Sequence, residues 1–292
     1  MTANDIPAPA LSDHLPEPLR LGEPDVHGPL AVFPVFGPTP VLEYVSFARA
    51  RAYGISIREL PSGASVNDLV VLNPTDHTVL LYEGEEILGA QQNRTFDVSV
   101  LVGPRSELQV PVSCVEAGRW DGRRSEEEFS PAPQAAYPAL RSRKNRAARL
   151  SVAAGMAPRA AQGEVWEEVA HKSARMDVAS ATGAMHDIYD GRRDRLAEVQ
   201  RAVRIHGGQT GALLAIGGRP VVLDHVSRPD VFAGLHAPLL QGYALDALEA
   251  QGAPEAPDAE RAAAFLGQVL GARTSERDGI GLGRDVRFAG GG

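Results

Sequence analysis

The segment RTFDVSVLVGPRSELQVPVSCVE, from Arg94 to Glu116, constrains the fold more than any other part of the chain. Phe96, Val98, Val100 and Val102 alternate with polar residues, and after Gly103-Pro104 the same alternation resumes at Leu108, Val110, Val112 and Cys114. A period of two places these side chains on one face of a strand, whereas a helix would scatter them around its circumference. With Val102 opposite Leu108, an antiparallel hairpin would pair Val100 with Val110, Val98 with Val112 and Phe96 with Cys114, and one step further Arg94 with Glu116. Gln92 shares this inward phase unless a bulge between Gly89 and Gln92 moves it.

The apolar face therefore ends in Gln92, Arg94 and Glu116, and a charge on a core face needs a partner. Two readings stay open. In one, an Arg–carboxylate pair with amide neighbours closes the sheet end. In the other, the sheet end is a pocket where Arg94 holds an anionic or phosphate group and Gln92 or Asn93 reads a polar edge.

Around this segment, LAVFPVFG, GISIREL, DLVVLNPT and HTVLLYEG are further short β-rich runs separated by turn residues. The 30 Gly and 22 Pro in 292 residues exceed average usage of roughly 7% and 5%, which favours many short elements. Helical period begins at GEVWEEVAHKSARM and resumes where Ile188, Leu196, Val199 and Val203 share a face; GALLAIGGRPVVLDHV reads as a hairpin turned at Gly217-Gly218, and PLLQGYALDALEA and DAERAAAFLGQVLGA read as helices. The expected fold class is α+β, an N-terminal antiparallel β-sandwich or barrel-like sheet followed by a mixed helix/hairpin unit. Its expected divisions are a disordered leader over 1–20, a β-rich domain over 21–120, a charged Pro/Ala-rich connector over 121–163, an α+β unit over 164–250, and a C-terminal helix with a Gly-rich tail over 251–292. Within the connector, RSRKNRAARL reads as a solvated segment, with docking of an anionic ligand as the alternative.

A net charge of −8 argues against a broad nucleic-acid face. The single cysteine excludes an internal disulfide and any multi-cysteine metal site. No apolar run reaches membrane-spanning length and the N-terminus lacks a secretion pattern, so the expected location is cytoplasmic. The histidines have no metal-ligand spacing, no GxSxG or Walker loop occurs, and GIGLGRD (279–285) lacks the strand and helix of a dinucleotide fingerprint. No pattern names a cofactor or a metal. Glu83, Glu85 and Glu86 around Gly84 read as an exposed acidic turn, with a magnesium-type oxygen site as the alternative. Cys114 reads as a buried apolar residue rather than a nucleophile, and Trp120 as a lid over the sheet end or a stacking face for a base. If the C-terminal unit closes over the sheet end, Gln209, His225 or Tyr243 would be available to a site there.

YEGEEILGAQQNR, PVSCVEAGRW and GALLAIGGRPVVLDHV with LLQGYALDAL resemble the ARPP-1 domain family, the ARG and rhodanese-phosphatase-superfamily-associated proteins, over most of Leu19 to Phe288. The resemblance implies motif positions at Glu86, Gly89, Gln92, Asn93 and Arg94, and at Cys114, Glu116, Arg119 and Trp120. It also implies a place in NAD or ADP-ribose metabolism. On this basis Arg94 and Arg119 are expected to contact phosphate, Gln92 and Asn93 to give directional hydrogen bonds, and Trp120 to stack on a base. If the protein is an enzyme, Glu86 or Glu116 is the candidate general base or metal ligand for hydrolysis of a glycosidic or phosphate bond. The expected partner is a small nucleotide-phosphate ligand or a protein of NAD/ADP-ribose metabolism. The rival is a non-catalytic interaction scaffold whose polar cluster is a structural ion-pair network.

Overall fold

Phe96, Val100, Val102, Val110 and Val112 turn inward, as their period requires, and with Ile57, Leu69, Val71, Leu81 and Ile87 they fill the hollow of a curled sheet. The computed structural model describes residues 8–120, 124, 127–250 and 256–288; the first seven residues of the expected leader, most of 121–126, and 251–255 and 289–292 of the C-terminal stretch lie outside the described residues. Seven α-helices and sixteen mostly short strands, nearly all antiparallel, make the described chain an α+β structure.

The curled sheet runs in the order Ser130–Ala135, Glu85–Leu88, Arg94–Phe96, Ser106–Cys114, Asp68–Asn73, Ser56–Arg58. A three-stranded sheet of Val100–Val102, Val79–Leu81 and Val45–Ser46 packs into the same core. The pairing differs from the expected hairpin. Phe96 pairs with Val112 and Arg94 with Cys114, two residues away from the expected register, and Val100–Val102 crosses to pair with Val79–Leu81. The cause lies at Asp97. Its amide donates to the Pro111 carbonyl, and its carboxylate accepts from Ser113 Oγ at 2.6 Å and lies 3.3 Å from Lys144 Nζ. Those bonds bend the chain out of the ladder, and Pro111 has no N–H with which to continue it. A two-residue slip preserves every inward face, so the apolar pattern cannot distinguish the two registers.

The strand Leu30–Phe36, expected with the N-terminal sheet, pairs instead along Gly211–Ile216, which forms the expected hairpin with Arg219–His225. Leu30–Phe36 is apolar on both faces because both are covered. Ala31, Phe33 and Val35 meet Ala262 and Leu266 of the helix Ala259–Leu270, while Leu30 and Val32 join the main helical core with Phe232, Leu239 and Tyr243 of Pro229–Ala247. Ile188, Leu196, Val199 and Val203 are all buried in that core, on two helices, Met185–Asp190 and Arg193–Ala202.

RSRKNRAARL is exposed at six of its ten residues, but it is not solvated all round. It lies in the helix Pro138–Ala153, whose buried face carries Leu140, Arg141, Lys144 and Ala148. A count of apolar residues missed this face because two of its five buried members, which include Pro138, are cationic. Residues 8–20, within the expected leader, are tied down by an Ala10–Arg273 bridge and a 3.0 Å bond from His14 to Thr274. Within GIGLGRD, Gly279 to Gly283 turn the C-terminal hairpin of Thr274–Asp278 and Arg284–Phe288.

Candidate functional site

The sheet end gathers the residues that the sequence singled out. Arg119 grips Glu116 through two nitrogens, at 2.9 and 2.7 Å, and also donates to the Ala90 carbonyl at 2.7 Å and to Asn93 Oδ1 at 3.0 Å. Glu116 accepts further bonds from the Asn93 amide and from Thr182 Oγ1. Burial pushes the Glu116 carboxyl up, but the bonds from Arg119, the Asn93 amide and Thr182 outweigh it and hold the group below the usual glutamate range. Cys114 is fully buried, and its single S–H lies within reach of Gln92 Oε1 at 2.9 Å and the Glu116 carbonyl at 3.1 Å. Burial raises its thiol pKa, so it is no activated nucleophile.

Arg94 has no exposed surface, donates to the Gln92 carbonyl at 2.8 Å, and lies 3.7 Å from Glu59. Trp120, 45% exposed, covers it at 5.7 Å. Desolvation lowers the Arg94 pKa and raises that of Glu59, so burial outweighs mutual attraction for both partners. Asn93, Glu116 and Arg119 thus bond one another, while Gln92 turns to Ala117 and Cys114, and Arg94 bonds the Gln92 and Ser65 carbonyls and keeps a buried Nε with no partner.

Glu83, Glu85 and Glu86 are not an exposed turn. All three are buried and diverge: Glu83 to Arg141 Nε at 2.9 Å, Glu85 to the Tyr82 amide at 2.7 Å, and Glu86 to Gln134 Nε2 at 2.6 Å. Gly84, at φ +87°, lies so close to the Arg141 stem that a β-carbon would meet Arg141 Cδ at 2.7 Å. No group of three or more His, Cys, Asp or Glu among the described residues could hold a metal ion.

Glu86 pairs across the sheet with Thr95, on the opposite face from Arg94, and Gln134 connects it to His186 Nδ1 at 2.7 Å. Burial, opposed by the Gln134 bond, lifts the Glu86 pKa to about 8, and burial lifts Glu85 to about 7. A carboxyl that is more basic folded than unfolded favours folding while protonated, and that contribution fades as pH rises from about 4.3 through the folded pKa. Buried His225, lowered to about 4, acts in the opposite sense, adding stability as pH rises towards its unfolded value near 6.5. Comparison of wild type with Glu86→Gln isolates the first effect. The variant is expected to gain stability relative to wild type by up to about 1.4 kcal/mol per pH unit between roughly pH 5 and 8. Urea titrations at three pH values across that window test this; parallel wild-type and variant curves would show Glu86 ionised throughout.

A second polar centre lies where the helix Pro138–Ala153 meets the hairpin strand Arg219–His225. Arg141 holds Asp224 bidentately, at 2.8 and 2.6 Å, and Asp224 also accepts from the Tyr82 and Tyr243 hydroxyls at 2.8 and 2.5 Å. Burial raises the Asp224 pKa, but the Arg141 charge and these bonds bring it below the ordinary value, and Asp224 and Glu83 together raise that of Arg141 despite its burial. Tyr243 therefore joins this centre and not the sheet end.

Above it lies a cavity of about 610 Å³, lined by Tyr82, Glu83, Ser99, Arg141, Asn145, Arg149 and Asp224, with residues of the C-terminal hairpin as its far wall. The hairpin docks through Leu282, whose amide donates to the Leu101 carbonyl at 2.8 Å. A β-carbon at the adjacent Gly281 would collide with that carbonyl. The sequence reading missed this centre. Its one local signal was Arg141, Asn145 and Arg149 at intervals of four, a single helix stripe.

No helix of the described chain is long and apolar enough to cross a membrane. Comparison with curated proteins and with solved structures finds no match. The ARPP-1 domain, described as the ARG and Rhodanese-Phosphatase-superfamily-associated Protein domain, matches residues 18–292, nearly the whole chain, and the protein belongs to that family.

Proposed function

We propose that this ARPP-1 chain binds a nucleotide-phosphate ligand of the ADP-ribose class in the cavity beneath the C-terminal hairpin, and that the sheet-end cluster is a structural ion-pair network. The observation that carries this reading is the cavity itself. Its volume of about 610 Å³ falls within the roughly 300–1,000 Å³ of small-molecule sites. Asn145 and Arg149 are exposed in its lining, and their side chains form no ion pair or hydrogen bond with other described residues. They stand over a floor locked by the Arg141–Asp224 pair. An uncommitted guanidinium beside a rigid polar floor suits a phosphate ester, because Arg presents a planar fork to phosphate oxygens. At the sheet end, by contrast, Arg94 is fully buried and Arg119 is held by Glu116, Asn93 and Ala90. A second reading keeps the ligand at the sheet end, favoured by the exposed ring of Trp120 over Arg94.

Isothermal titration with ADP-ribose, ADP and AMP separates the two. Arg149→Glu is expected to leave the melting temperature within a degree or two, since the side chain is unpaired at the surface, and to weaken ADP-ribose binding by about tenfold or more. Trp120→Ala is expected to leave binding unchanged. Loss of binding in Trp120→Ala with none in Arg149→Glu would move the ligand to the sheet end, and no heat from any of the three nucleotides would end the nucleotide reading.

A further inference from the structure

We infer that Glu83 and Ser99 form a hydroxyl-reading subsite in this cavity that selects a ribose-type sugar phosphate over its deoxy counterpart; the inference rests on the binding function proposed above. Glu83 is only 7% exposed, and its two carboxylate oxygens differ in their bonding. Oε2 accepts from Arg141 Nε at 2.9 Å, while Oε1 is buried with no hydrogen-bond partner. Glu83 is the one cavity-lining residue among those described that has such an orphaned atom. A buried carboxylate oxygen stripped of water and given no donor is costly, so a ligand that brings a donor recovers the loss. The terminal torsion of a glutamate is broad, and a modest rotation turns Oε1 toward an incoming group.

Ser99 lines the same cavity. Its Oγ accepts the Glu83 amide at 3.0 Å, which leaves the hydroxyl hydrogen to donate. An acceptor and a donor in one cavity lining match a sugar hydroxyl, which is itself both. They do not match a phosphate, which a carboxylate repels. The phosphate belongs on the Asn145 and Arg149 wall, the sugar over Glu83 and Ser99.

The experiment measures competition of ribose 5-phosphate and 2-deoxyribose 5-phosphate, equal in charge, against ADP-ribose bound to the full chain. Wild type is expected to prefer the hydroxylated sugar by roughly ten- to a hundredfold, because the deoxy sugar leaves Oε1 unpaired. Ser99→Ala, a surface change, and Glu83→Gln are each expected to reduce that preference to about twofold or less. Should Glu83→Gln fail to fold, Ser99→Ala alone decides. If wild type binds ADP-ribose and the two sugar phosphates compete equally or not at all, or if Ser99→Ala keeps the full preference, the inference is overturned while the binding function stands. Failure to bind ADP-ribose at all overturns the binding function, and the inference with it.

Discussion

Replacing Arg141 with alanine is expected to lower stability by about 3–5 kcal/mol, the range for removing one partner of a buried charge pair. The guanidinium bonds both Asp224 oxygens and one Glu83 oxygen, and all three residues are buried. Without it two carboxylates remain in the interior, and only the Tyr82 and Tyr243 hydroxyls still donate to Asp224. The variant also loses the stem that packs on Gly84, where a β-carbon would meet Arg141 Cδ at 2.7 Å. Urea denaturation at pH 7 measures the loss. A deficit below about 1 kcal/mol, the range of surface pairs, would mean that water reaches Asp224 and that the floor of the cavity is not a locked network.

Arg94→Ala is the second large effect, and the properties of its pair with Glu59 decide its form. It opens a cavity in the core and strands Glu59, with an expected cost again near 3–5 kcal/mol. Since desolvation already weakens both partners, Glu59 in the variant is expected to take up a proton and not to remain charged. Adding Glu59→Gln should then recover part of the loss, read as a coupling energy in a double-mutant cycle. The folded Arg94→Ala protein, held below its melting temperature, should bind ADP-ribose as wild type does. If Arg94→Lys remains as stable as wild type and loses the ligand, Arg94 is a ligand contact and the structural reading of the sheet end is wrong.

Much of the architecture could be read from period alone. The apolar even positions Phe96, Val98, Val100, Val102, Leu108, Val110 and Val112 all reached one core, and the Gly217-Gly218 hairpin formed where expected. The motif residues from Gln92 to Trp120 do meet at one sheet end, although through a register two residues from the expected one. That difference was invisible because a strand repeats every two residues, and a slip of one repeat leaves the apolar pattern unchanged. The helix Pro138–Ala153 was hidden for a different reason. Its inward face carries Arg141 and Lys144, and a buried cation looks like a solvated one until its partners are known.

Local pattern by itself determined the α+β class, the faces that turn inward and the gathering of polar groups at the end of Arg94–Phe96, because each depends on side-chain alternation within a few residues. Only the tertiary structure decided what those polar groups do. Asp224 and Glu83 stand 83 and 58 residues from Arg141 along the chain, and Glu116 lies 23 residues from the Asn93 amide that it accepts. Whether a charge is paired or left for a ligand depends on what the rest of the chain brings within about 4 Å of it, and no local period encodes that distance.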